Sequence, residues 1–164
     1  MKKLFSLFLA AIMIALASAT GCSKADDDGS VKRSMVAAAY YSMEAEDGVL
    51  FTFYLVDNKN NLVQKPNDPN AMEVTKYVMI EVMSSSKTPQ GTYSFADRFS
   101  DLDPGYAVAF DNCGKNQIGY IKNGTVTIGS NTISINGSTE KGQDYSLSFS
   151  GSFQKTGYIT TFVK

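Results

Sequence analysis

Glu81 stands between Met79 and Met83, with Tyr77 in the same strand phase. A carboxylate among polarizable thioethers and a phenol can orient a ligand, or do acid–base work if its surroundings raise its proton affinity. The commoner meaning of Tyr77, Met79, Glu81 and Met83 is a partly wet outward strand face. A second group is Asp97, Asp101 and Asp103, followed by Pro104-Gly105. Hard oxygen donors on a tight turn suit Ca²⁺. The spacing departs from Asp-x-Asp-x-Asp-Gly, however, and Asp before Pro-Gly is ordinary turn chemistry. Two carboxylates drawn from Glu81, Asp57 and Asp111 are what a histidine-free glycoside hydrolase needs. Cys113 lies in the turn-like Asp111-Asn112-Cys113-Gly114-Lys115 with no base nearby in sequence, so a reactive thiol has little support.

Composition narrows these choices. The chain of 164 residues has no histidine, which excludes Ser-His-Asp and Cys-His catalysis and the usual zinc constellations. It has no tryptophan either, while Tyr and Phe are plentiful. The expectation is a non-enzymatic protein without a cofactor. Fifteen basic residues, less Lys2 and Lys3, leave thirteen against sixteen acidic ones. That balance offers no basic patch and speaks against nucleic acid as a partner.

The cysteines tell where the protein works. Lys2 and Lys3 precede the apolar run Leu4–Ala19, which closes on Ala19-Thr20-Gly21-Cys22. The run falls short of the ~20 apolar residues that span a bilayer. A charged head, a short apolar core and small residues at the exit form an export signal. With Cys22 directly after them, the stretch resembles a bacterial lipobox, in which the signal is removed and the new amino-terminal cysteine is acylated. The resemblance implies a signal peptide over 1–21 and an outer-membrane lipid as partner through acylated Cys22. Each buried CH₂ of an acyl chain contributes about 0.8 kcal/mol, so two or three chains anchor permanently. Cys113 is then the only remaining cysteine, and no intrachain disulfide can form.

After Cys22 comes Ser23-Lys24-Ala25-Asp26-Asp27-Asp28-Gly29. The three aspartates Asp26, Asp27 and Asp28 resemble the acidic export signal of surface-exposed lipoproteins in the Bacteroidota, which implies display on the cell surface. Residues 22–33 read as an acidic flexible tether reaching roughly 20 Å, and 34–164 as a single β-domain.

Period-two alternation runs through that domain, broken by Gly, Asn, Asp and Pro. Strands are expected at 36–42, 49–57, 76–83, 92–96, 106–110, 117–122, 125–128, 132–135, 145–153 and 158–163. Asn123-Gly124 reads as a two-residue hairpin turn, and 65–70, with Pro66 and Pro69, as a polar loop. The later strands alternate cleanly: Val126, Ile128, Ile133, Ile135, Tyr145, Leu147 and Phe149 face the core, while Ser and Thr face water. The earlier strands are apolar on both faces, as in Val49, Phe51, Phe53 and Leu55 against Leu50, Tyr54 and Val56. Such strands must be covered on both sides, by a second sheet, a loop or a partner. The expected fold is an all-β antiparallel meander closing into a small β-barrel or barrel-like sandwich of roughly 8–10 strands.

Gly91-Thr92-Tyr93, the Ile121…Gly124-Thr125-Val126-Thr127-Ile128 stretch and Tyr145-Ser146-Leu147…Gly151 are similar to small Bacteroidota lipoproteins of lipocalin- or calycin-like type. The resemblance spans about half the chain, lacks the Gly-x-Trp of true lipocalins, and implies a barrel with no particular ligand. The functional expectation is a lipid-anchored surface protein that binds a small amphiphile, a glycan fragment or an envelope protein. The alternatives are an accessory subunit of an outer-membrane complex and, less favoured, the histidine-free hydrolase.

Overall fold

The computed structural model describes residues 29–96, 102–113 and 118–162. Cys22, Asp26, Asp27 and Asp28, together with Asp97 and Asp101 of the carboxylate loop, lie outside the described residues.

The described chain is all-β. In order, the strands are β1 (Val31–Met35), β2 (Ala37–Ala45), β3 (Gly48–Val56), β4 (Leu62–Lys65), β5 (Asp68–Val74), β6 (Tyr77–Ser84), β7 (Gly91–Phe95), β8 (Tyr106–Asn112), β9 (Gly119–Ile128), β10 (Thr132–Thr139), β11 (Asp144–Ser150), β12 (Phe153–Lys155) and β13 (Tyr158–Thr161). Ten of them form one sheet in the order β1-β11-β10-β9-β7-β8-β6-β3-β2-β12, and β13-β5-β4 form a second.

The ends of the large sheet meet. Only Val36 separates β1 from β2, and its N–H bonds to the Val56 carbonyl at 2.8 Å. Only Gly151 and Ser152 separate β11 from β12. β1 pairs in parallel with β11, and β2 with β12, so the first long strand lies along the last and the sheet curls into a barrel-like form. Most other neighbours are antiparallel, as in a meander. β7 departs from it, wedged antiparallel to β9 and parallel to β8.

The inward positions form one core. Phe51, Phe53, Leu55, Val78, Ile80, Val82, Val126, Ile128, Ile133, Ile135, Tyr145, Leu147 and Phe149 all belong to it. Each large apolar side chain so buried stabilises the fold by about 1.5–3 kcal/mol. Tyr40, Phe53, Phe149 and Phe153 stack or meet edge to face at the seam where β12 joins β2. A smaller core of Tyr54, Val56, Val74 and Tyr77 lies on the outer side, with Leu62 and Ile159 of the small sheet packed against it. The doubly apolar early strands are thus covered over part of their length by a second sheet.

Three local expectations change. The tether ends sooner: β1 starts at Val31, and Val31 and Arg33 are buried although 31–33 read as linker. Lys32-Arg33-Ser34 looks solvated by composition, but strand alternation points Val31, Arg33 and Met35 inward. Residues 65–70 are not a loop: Lys65 ends β4, Pro66 and Asn67 turn the chain, and Asp68–Asn70 open β5, with Pro69 outside its paired positions. Asn123-Gly124 makes a bulge within β9 rather than a hairpin. Lys122 pairs with Ser138 and Gly124 with Gly137, which leaves Asn123 as the extra residue. Both adopt positive φ, 52° and 98°, the conformation a two-residue turn would also use, so the residue pair alone does not tell a bulge from a hairpin.

Candidate functional site

β6 sets the geometry. Val78, Ile80 and Val82 are fully buried in the main core, so Tyr77, Met79, Glu81 and Met83 face outward, as the alternation requires. Tyr77 leaves the candidate surface, because it is buried in the outer core with its ring 5.1 Å from Tyr54, edge to face. Met79 is half-buried against that core, and Glu81 and Met83 are half-buried beyond it.

Strand register extends this face sideways. Met83 pairs with Leu50, and Leu50 with Met43. Met79 lies between Tyr54 and Phe110, and Phe110 pairs with Tyr120. The Phe110 and Tyr120 rings meet edge to face at 5.0 Å. Met43, Tyr106 and Tyr120 are 54%, 44% and 40% exposed, high for side chains of their size. The result is an apolar outer face, thioether-rich along one row and aromatic along another.

Glu81 sits within it. Thr52 Oγ1 donates to Glu81 Oε1 at 3.1 Å. Nearby, burial first, then the Tyr41, Tyr77 and Glu81 neighbours, raises the proton affinity of the Tyr54 hydroxyl well above that of free tyrosine. Glu81 therefore sits near a tyrosine, Tyr54, that is held neutral.

The main core holds a polar cluster that the sequence reading did not single out. Arg33 Nε donates to Asp111 Oδ2 at 2.8 Å, Tyr145 Oη to the same oxygen at 3.0 Å, and the Cys113 N–H to Oδ1 at 3.0 Å. Arg33 and Asp111 are 5% and 0% exposed. Burial works against the guanidinium charge, but the bond to Asp111 and its charge outweigh it, so Arg33 holds its proton more tightly than free arginine. Burial, then the Asp111 carboxylate, pushes Tyr145 well above its ordinary value. The available clue was phase, since Arg33 shares the strand phase of Val31 and Met35, and Asp111 that of Ala107 and Ala109. Closed to solvent, the cluster acts as a brace between β1, β8 and β11.

The other chemical candidates separate. Glu81 faces outward and Asp111 inward, so the sheet lies between these two hydrolase carboxylates. Asp57, just past β3, accepts from Asn61 at 3.4 Å. Asp103 is exposed, and its carbonyl accepts from the Tyr106 N–H in a turn. Among the described residues no three His, Cys, Asp or Glu side chains converge as for a metal. Cys113 is buried and in no disulfide.

Comparison of the chain with known protein families, with curated proteins and with solved structures found no match.

Proposed function

We propose that this chain is a lipid-anchored binding protein of the outer membrane, displayed at the cell surface through acylated Cys22, and that it holds an envelope protein on the outer face of β3, β6 and β8. The observation that carries this reading is the open part of that face. The small sheet covers Tyr54, Val56 and Tyr77 but leaves Met43, Leu50, Met83, Phe110 and Tyr120 to solvent or to a partner. The inward positions of the same strands are already occupied by the main core. That favours a partner on the outside over an amphiphile enclosed within the barrel. Methionine-rich surfaces adapt to apolar partners because the thioether chain is flexible and polarizable.

The test is site-specific photo-crosslinking in intact cells. A photoreactive residue at Met83 is expected to give a discrete protein adduct. The same residue at Thr127, on the polar outer side of β9, is expected to give none. Failure to obtain an adduct at Met83, or equal adducts at both positions, overturns the reading.

A further inference from the structure

We infer that the protein partner presents a cationic side chain, lysine or arginine, to Glu81. The inference deepens the binding-face reading above and rests on it. Along the outward positions of β2, β3, β6 and β8 the residues are Ala, Gly, Tyr, Met, Leu, Thr, Val, Phe and Asn, with Glu81 the one formal charge. It stands among Met79, Met83 and its strand-pair neighbours Thr52 and Val108, both buried.

Glu81 is incompletely satisfied for a carboxylate about to be covered. An ionised carboxylate offers about four acceptor sites, and the Thr52 hydroxyl fills one of them on Oε1. Among the described residues the ion pairs are Arg33–Asp111 and Lys122–Glu140, and neither involves Glu81. A purely apolar partner on this face would strip water from the carboxylate and leave it unpaired, which is strongly unfavourable. A partner that brings a cation removes the penalty and gains a desolvated, charge-assisted bond.

The surroundings suit the whole side chain as well as its head. The methylene stem of lysine or arginine can lie along Met79 and Met83 while the head reaches Oε2. Tyr41, half-buried and paired with Thr52 across β2 and β3, adds a phenol ring beside this row, and phenol rings attract cations through their faces. Thioethers, a phenol and one carboxylate together select a cation with an apolar stem over an anion or a neutral polar group.

The experiment reuses the Met83 photo-adduct in the full-length, membrane-anchored protein. Glu81→Gln keeps the shape and can still accept the Thr52 bond, so its thermal melt should match the parent. Its adduct yield at sub-saturating expression should fall at least about tenfold, as for loss of one partner of a buried charge pair. Glu81→Lys should abolish the adduct. Raising salt from about 0.05 to 0.5 M in isolated outer membranes should weaken the parent adduct and leave any residual Glu81→Gln adduct unchanged. Adduct yield equal in parent and Glu81→Gln, or a parent adduct indifferent to salt, overturns the cation while leaving the binding face standing. Loss of the adduct in the parent itself overturns the binding face instead. The salt series on the parent decides the question even if a variant folds poorly.

Discussion

Truncating Arg33 should be among the most damaging single changes outside the apolar core. Arg33→Met keeps the length and the apolar stem but removes the charge that faces Asp111 at 2.8 Å. Asp111 is fully buried and would keep only the Tyr145 hydroxyl and the Cys113 N–H as donors from this cluster. Breaking a buried pair from one side costs about 3–5 kcal/mol, because an uncompensated charge remains. A domain of this size has roughly 5–15 kcal/mol in all, so the variant should still fold. With an m-value of ~1.5–2 kcal/mol/M, the urea midpoint should drop by about 1.5–3 M. Far-UV circular dichroism is the suitable probe, since the chain has no tryptophan. Removing both charges in Arg33→Met with Asp111→Leu should recover much of the loss, because a buried pair and an apolar replacement are often near parity. A loss under about 1 kcal/mol for Arg33→Met, or a double variant as damaged as the two singles added together, would refute the view that Arg33 and Asp111 brace the core as a pair.

Three further outcomes follow from other contacts. Tyr54 and Tyr145 both hold their protons more tightly in the folded chain than free tyrosine does, so the unfolded chain ionises first as pH rises. Stability should be level below about pH 10 and then decline at up to about 1.4 kcal/mol per pH unit per tyrosine; Tyr145→Phe should flatten the decline in urea melts across pH 8–11. Val78→Ala with Ile80→Ala should destabilise by several kcal/mol, while Met79→Ala with Met83→Ala costs less and lowers the Met83-face adduct measured from a probe at Leu50; the reverse order of stability would invert the assigned faces. Gly124→Ala should cost more than ~1 kcal/mol in denaturant melts, because φ is +98° and a Cβ would clash with the Asn136 carbonyl oxygen, and a neutral result would show that the bulge relaxes freely.

The strands and their faces were legible because side-chain alternation is local. Val126, Ile128, Ile133, Ile135, Tyr145, Leu147 and Phe149 announce one buried face without reference to anything distant, and all lie in the main core. The same alternation separates Val78, Ile80 and Val82 from Tyr77, Met79, Glu81 and Met83. It also shows that β3 and β6 carry apolar residues on both sides and must be covered twice. β5 was not legible, because Asp68-Pro69-Asn70 reads as turn chemistry and its partners β4 and β13 are short.

By itself, then, the sequence determined the all-β class, the inward and outward sets of most strands, and the need for a second cover, since each follows from period two and residue polarity. Tertiary structure decided what depends on distant partners. It turned Asn123-Gly124 into a bulge, because β10 continues alongside β9 past that point. Curling of the large sheet laid β1 along β11 and β2 along β12. Tyr77 went under the small sheet while Glu81 and Met83 stayed partly open. Arg33 went inside, where a charge survives only because Asp111, 78 residues away in sequence, meets it there. No local pattern carries that pairing, because the energy that permits it exists only once both charges have left water together.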